Sequence, residues 1–389
     1  MKFKFLILSM LPLFACTQKE DTDHAFDYLD IDDHKIETIY NISNIFESVK
    51  IVELETTPES LIAEITSLII HEGNIYILDI ITESVFVFDR DGNYVSKIQN
   101  VGEGPDEYLN VNNFDIDAQK RLLVLFCGNK IQYYDLDNLS MVKQDRDSFP
   151  AAQKKYIGND AFASYAANMQ TRNNDKNLLL VKDNKIIDSS FPIEKNLTGY
   201  NLSQNYNFGM KNDMNYTWFV TPFSNEVYSI NDKSINKNKK ITFTSGELPT
   251  NIFSENPKEK FTEKLFSTNY SFLIDSYYES KINNMVYFNF RKKENIVTCF
   301  HKDNVTHLAA NLLNDLNGVP INPTTFLYTM EEERCFVNYG YYHYVYEMLS
   351  HMDISSGSIA ETILNVIPIS LEEADKKQED NPFLLFFYY

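Results

Sequence analysis

The chain has 389 residues, with 55 acidic against 35 basic side chains and a formal net charge of −20. Hydrophobic residues make up 43% and aromatics 14%, including 28 Phe and 25 Tyr, which is enough apolar material for a core and excludes a disordered protein. The acidic balance argues against nucleic-acid binding, which needs a basic footprint to displace counterions from phosphates.

Taken in chain order, the first segment is a targeting signal. Met1-Lys2-Phe3-Lys4 is a basic start, Phe5 to Phe14 a largely apolar run, and Ala15 a small residue before Cys16. As a helix the run reaches about 15 Å, half the hydrocarbon thickness, so it is not a membrane span. Leu13-Phe14-Ala15-Cys16 resembles the bacterial lipobox, with Phe14 bulkier than the usual small residue. The resemblance implies cleavage before Cys16 and lipidation of its sulfur; a plain secreted protein with a chance Cys is the other reading. Two or more acyl chains anchor stably where one does not. Thr17-Gln18-Lys19-Glu20-Asp21 is similar to the surface-export signal of Bacteroidetes lipoproteins, which implies an outer-membrane protein facing outward, with the periplasmic face as the alternative.

Loss of residues 1–15 removes Lys2 and Lys4 and takes the net charge of −20 two lower, to −22. Such a body is repelled from an anionic lipid surface rather than drawn flat onto it. The stretch from Thr17 to about Ile45 is rich in Asp and lacks periodic pattern, which fits a solvated tether. The expected division is therefore a signal at 1–15, a lipidated Cys16 and flexible tether at 16–45, and a folded body at 46–389.

From Val49 the chain repeats short apolar runs separated by Asp, Asn and Gly turns. Ile75 to Leu78, Val85 to Phe88, the turn Asp89-Arg90-Asp91-Gly92-Asn93, and Tyr94 to Ile98 form one such unit; the β-branched and aromatic enrichment indicates strands. Comparable hairpin turns follow at Asp135, Asp183, Asp232, Asp303 and, less cleanly, Asp353 after Tyr344 to Met348. The intervals are 46, 48, 49, 71 and 50 residues. Six turns at a period near 48 indicate a repeat architecture whose unit holds four short strands, the size of a propeller blade. A β-sandwich would show short strands without that period. The long interval holds Asn256-Pro257-Lys258-Glu259-Lys260-Phe261, where Pro257 and the Phe261/Leu265 pair suggest an inserted helix. Ser370 and Glu373 have capping-box spacing for another. The expected fold is all-β: a six-bladed propeller of four-stranded antiparallel blades. Strands near Val49 to Leu54 and Phe383 to Phe387 would close its ring, removing two exposed edges.

Val52-Glu53-Leu54-Glu55-Thr56-Thr57, Asn74 to Asp79, Gly102-Glu103-Gly104-Pro105-Asp106-Glu107-Tyr108, Asn314 to Gly318 and Asn381-Pro382-Phe383-Leu384 resemble the six-bladed β-propeller lipoproteins of Bacteroidetes, akin to NHL-repeat propellers. The resemblance covers nearly the whole mature chain, with 151–245 matching by period only. It implies a fold and a location, and it supplies no catalytic residues.

Few motifs point to chemistry. Gly102-Glu103-Gly104-Pro105-Asp106-Glu107 fails as a dinucleotide fingerprint, because Glu107 replaces the third glycine and no helix pattern follows; a turn between blades accounts for it. Asp89-Arg90-Asp91-Gly92-Asn93 begins like a calcium loop but has Tyr94 at the sixth position and Asn100 at the twelfth, so hairpin chemistry explains it. The seven His residues lack zinc-site spacing; His24 and His34 fall in the tether, while His301 and His307 suit exposed turn positions. Cys127, Cys299 and Cys335 lie in apolar runs and read as buried free thiols, although one disulfide is open to them. Gly340-Tyr341-Tyr342-His343-Tyr344-Val345-Tyr346, and Trp218 in Tyr216-Thr217-Trp218-Phe219, are read as strands that send rings between blades, with ligand contact as the second reading.

The sequence thus points to a monomeric, lipid-anchored binding module for a glycan, peptide or envelope protein, with no cofactor, metal or nucleic-acid partner. The membrane contact would be Cys16 and the site the central funnel, with ligand-binding residues unassigned. The competing reading is a metal-dependent hydrolase or lactonase-like propeller, which needs Glu, Asp, Asn or His side chains from several blades to converge on the axis.

Overall fold

The computed structural model describes residues 27–169, 175–193, 207–209, 216–221, 223–249, 263, 265–321, 326, 328–330, 333–352 and 359–389. Three strands come first: β1 (Asp27–Ile31), β2 (Tyr40–Asn41) and β3 (Ser48–Glu53). Blade 1 is β4 (Ser67–His71), β5 (Asn74–Asp79), β6 (Ser84–Asp89) and β7 (Tyr94–Ile98); blade 2 is β8 (Asn113–Asp117), β9 (Leu122–Cys127), β10 (Lys130–Asp135) and β11 (Met141–Arg146). Blade 3 is β12 (Gln153–Gly158), β13 (Ala161–Tyr165), β14 (Lys176–Lys182) and β15 (Lys185–Pro192). Blade 4 contains β16 (Thr217–Val220), β17 (Glu226–Ile230) and β18 (Ile235–Phe243); blade 5 is β19 (Ser271–Ser280), β20 (Met285–Lys292), β21 (Asn295–Lys302) and β22 (Val305–Ala309). After β23 (Leu312–Leu313), blade 6 holds β24 (Tyr328–Met330), β25 (Cys335–Gly340) and β26 (Phe383–Tyr388), with helices α1 (Tyr342–His351), α2 (Ile359–Val366) and α3 (Leu371–Lys376) between the last two strands. The six sheets stand in a ring as a six-bladed β-propeller.

The burial of each strand follows from its place in a blade. Middle strands are covered on both faces by the neighbouring blades, so β5 and β6 are continuous apolar runs. Outer strands are wet, and β11 is almost wholly exposed. First strands of neighbouring blades pack on one another and line the centre, as β8 does on β12 and β4 on β8. Asp89, Asp135, Asp183, Asp232 and Asp303 all stand at the turn joining the third and fourth strands of blades 1 to 5. The Asp183-Asn184 and Asp303-Asn304 pairs both adopt positive φ, as a two-residue type I′ turn requires. Alternating strand direction puts these hairpins at one end of the ring. The connections between blades, and between second and third strands, lie at the other end, here called the mouth.

Ring closure is as expected. β26 pairs with β25 on one side and with β3 on the other, from Phe383 opposite Glu53 to Tyr388 opposite Ser48. The Ser370 capping box also forms, its hydroxyl accepting from the Glu373 amide at 3.1 Å to open α3.

Three expectations need correction. Residues 27–45, expected in the tether, pack on the ring instead. β1 adds in parallel to β18 as an extra outer strand of blade 4. Blade 4 recovers its inner member from a bridge of Phe208 to Phe219, with the Gly209 amide on Trp218 and the Val220 amide on Asn207. Asp33 is buried: it accepts from Ser245 and Ser271 hydroxyls at 2.5 Å each and pairs with Lys292 at 3.0 Å. Ile31, Tyr40, Ile42 and Ile45 are buried along the same strap. Its apolar residues are too widely spaced to show a period.

Second, Tyr344 to Met348 is helix rather than strand. Tyr342, Val345, Tyr346 and Leu349 repeat at i, i+3, i+4 and i+7, and those four face the core; Asp353 lies outside the described residues. The third strand of blade 6 is β26 instead. Third, His301 and His307 sit half-buried on β21 and β22. His301 Nδ1 is 2.9 Å from Thr306 Oγ1 and His307 Nδ1 is 2.6 Å from the Tyr40 hydroxyl, and burial pulls both imidazoles below their usual range. Trp218 is buried in β16 against Tyr216 and Tyr277, so its ring packs in the core, as the first reading of that run expects. The helix expected at Asn256 to Phe261 falls outside the described residues, although Leu265 to Ser267 are helical.

Candidate functional site

The two ends of the ring differ in what their side chains do. At the hairpin end, charged tips join neighbouring blades. Arg90 of blade 1 pairs with Glu333 of blade 6, and Arg121 of blade 2 binds Glu72 of blade 1 at 2.7 Å. Lys120 of blade 2 binds Asp160 of blade 3 at 2.6 Å, and Lys182 of blade 3 reaches Asp232 of blade 4 at 3.6 Å. Those groups are committed to holding the ring.

The mouth carries an aromatic cluster without such commitments. Gly340 ends β25 where the Phe383 ring would collide with a Cβ at 2.6 Å, and the chain then turns into α1. This turn fans out Tyr339, Tyr341, His343 and Tyr344. Tyr339 and Tyr341 stand 5.6 Å apart at 85°, Tyr341 and Tyr344 5.8 Å apart at 86°, and His343 lies 4.1 Å from Tyr344. Tyr344 is 56% exposed. The Tyr341 phenol is pushed up to about 12, chiefly by burial and further by Tyr339, Glu64 and Tyr344, while the Ile65 amide opposes the shift. Burial and the Glu64 charge also raise Tyr339. Tyr339 and Tyr341 are therefore set beside the connection that leads into blade 1, with Tyr344 against Tyr341. Glu64 is exposed, and among the described residues no ion pair reaches it. Its place beside the tyrosines had no sequence signal, since 275 residues separate it from Tyr339.

The other sequence candidates serve the scaffold. Asp89 accepts from the Asp91 and Asn93 amides at 2.9 Å each, so its oxygens close the hairpin, and hydrogen bonds from Asn93 hold its carboxyl below the usual range. Gly92, at φ +90°, lets that hairpin lie against the Glu53 carbonyl. Glu107 accepts from the Gly104 amide at 2.7 Å, fixing the Gly102 to Glu107 loop between blades 1 and 2. Cys127, Cys299 and Cys335 are buried and free, their thiols pushed up by burial. Cys16 and His24 lie outside the described residues. Among the described residues no group of three or more His, Cys, Asp or Glu is placed to hold a metal ion.

A groove of about 380 Å³ runs between blades 2 and 3, floored by Ile131, Tyr133 and Phe162. Lys143 covers the Tyr133 ring at 4.1 Å and pairs with Asp145 at 3.2 Å, so the chain itself occupies much of its chemistry.

A solved structure gives the same architecture over nearly its whole length. An exported protein of Bacteroides fragilis matches with a TM-score of 0.68 at 17% identity, over 92% of this chain and 98% of that one. A member of the DUF4221 family from Bacteroides vulgatus gives 0.41 at 9% identity, over 65% of this chain and 83% of that one. The extracellular domain of a hybrid two-component system from B. thetaiotaomicron gives 0.37 at 13%, over 67% of this chain and 29% of that one. No curated protein matches the chain. With residues 27–388 matched, from the first residue of β1 to the last of β26, the chain belongs to the family described as a domain of unknown function, DUF4934.

Proposed function

We propose that the protein is a binding module of the cell envelope, anchored through a lipid on Cys16 and displayed on the outer membrane, whose ligand contacts the aromatic cluster at the mouth. The carrying observation is the contrast between the ends: hairpin-end charges are spent on neighbouring blades, whereas Tyr339, Tyr341 and Tyr344 converge at the mouth with Tyr344 open to solvent. A rigid ring presenting side chains from loops is a common basis for recognition. Location is supported by the lipobox-like Leu13 to Cys16, by the surface-export-like Gln18 to Asp21 and by the likeness to an exported Bacteroides protein. No described helix is long and apolar enough to cross a membrane. β1 runs toward the mouth, so the chain reaches it from the hairpin end, and only ten residues separate Cys16 from Asp27. A stretch of that length spans at most about 35 Å, which favours a mouth turned away from the lipid.

Two measurements test this reading. Cys16→Ser should leave the membrane fraction and lose the acyl mass of its N-terminus; retention with unchanged mass rules the anchor out. Glycan and peptide arrays probed with the mature protein should yield a ligand whose binding falls at least tenfold in Tyr344→Ala. A ligand held equally by both proteins would move the site elsewhere. Turnover of an ester or lactone, abolished by chelation, would put the hydrolase reading first.

A further inference from the structure

We infer that the mouth cluster binds a cationic side chain, lysine or arginine, carried on an extended peptide. The inference rests on the proposed binding role of this cluster and names its ligand class. The first observation is geometric. Successive rings in Tyr339, Tyr341 and Tyr344 meet edge to face, at 85° and 86°, so they offer no flat platform of the kind a sugar face stacks on. In an edge-to-face contact the ring that presents its edge keeps its own faces clear of its partner; an open face attracts a cation, and a carboxylate beside it adds to the attraction. Glu64 supplies that carboxylate, and the −20 net charge of the chain steers cations toward the surface.

The second observation is how the protein treats its other ring faces. Lys143 covers Tyr133 at 4.1 Å, Arg291 covers Phe266 at 4.4 Å, Lys377 covers Tyr342 at 5.0 Å and Lys97 covers Phe86 at 5.5 Å. Among the described residues no cation of the chain covers Tyr339, Tyr341 or Tyr344. The mouth rings have the same chemistry and lack the chain's own cation.

A peptide, rather than a free amine, follows from the neighbouring surface. Leu61 is 50% exposed, Ile81 64% and Leu109 66%, and all three stand on mouth-end connections of blades 6 to 1, 1, and 1 to 2. Scattered apolar residues need no explanation, but three at the same end of the ring as an acidic aromatic cluster suit a segment with apolar side chains flanking a basic one.

The test is calorimetric titration of the mature protein with an acetylated, amidated leucine-lysine-leucine tripeptide, its norleucine counterpart, spermidine and maltotriose. The lysine peptide should bind saturably, at least fivefold tighter than the norleucine peptide and tighter than spermidine. Glu64→Gln should weaken it at least fivefold and Tyr344→Ala at least tenfold. Both residues are exposed, so melting temperatures should be unchanged. Equal binding of the lysine and norleucine peptides, or no effect of Glu64→Gln, overturns the inference. Spermidine binding as tightly as the peptide overturns the peptide commitment. Maltotriose binding that depends on Tyr344, without peptide binding, overturns the cation reading and leaves the binding module intact. The absence of any Tyr344-dependent ligand, in this titration and on the arrays, removes both.

Discussion

Asp33 shows how one side chain can fix a segment whose composition suggests a tether. Burial alone would raise its carboxyl pKa, but bonds from Ser245, Ser271 and Lys292 overcome that and hold it below the usual value of 3.8. A depressed carboxylate contributes stability that is present above the unfolded value and is lost as pH falls through the folded one. The contribution should therefore be constant from neutral pH down to about 4 and fade below 3.8. Asp33→Asn should cost about 3–5 kcal/mol at pH 7, because it leaves Lys292 half-buried without a counter-charge. Denaturant melts of both proteins across pH 7 to 3 check this. A difference that persists undiminished at pH 3 would show that the amide disrupts packing rather than charge.

Phe46 is the corresponding case among the elements, standing between the strap and blades 5 and 6. Its ring lies 5.3 Å from Phe387, 5.7 Å from Phe300 and 5.9 Å from Phe336, and it is 1% exposed. Phe46→Ala should cost about 3–5 kcal/mol, measurable as a lower denaturant midpoint at unchanged slope; a smaller loss would mean that the aromatic cluster collapses into the space. At this scale the sequence was legible wherever local chemistry decides the outcome. Turns of Asp, Asn and Gly mark five hairpins, and strands buried on both faces read as apolar runs. The strap was hidden because β1 obtains its partner from β18, 212 residues away, and its few buried side chains follow no period. The tyrosine stretch was misread because alternate aromatics satisfy a period of 2 locally, while Tyr342, Val345, Tyr346 and Leu349 satisfy 3.6 over a longer span. The candidate site was half legible for the same reason: its tyrosines are contiguous, whereas Glu64 arrives through ring closure.

The whole molecule is a ring whose last blade is built from both chain ends, and that predicts how it fails. Phe383, Leu384, Leu385, Phe386 and Phe387 are each at most 1% exposed. Burying a large apolar side chain is worth about 1.5–3 kcal/mol, so the five together contribute roughly 10 kcal/mol, comparable to the entire net stability of about 5–15 kcal/mol typical of a folded domain. Deleting residues 383–389 also leaves β25 and β3 as unpaired edges that would otherwise be hydrogen-bonded through β26. Open edges of that kind template intermolecular pairing. The truncated protein should therefore lose the single cooperative transition of the intact ring and elute as aggregates in size-exclusion chromatography with light scattering. A monomer of unchanged melting temperature would mean that the strap across blades 4, 5 and 6 closes the ring without β26. Removing residues 27–45 from that same truncation would then be the decisive second deletion, since it leaves neither fastening in place.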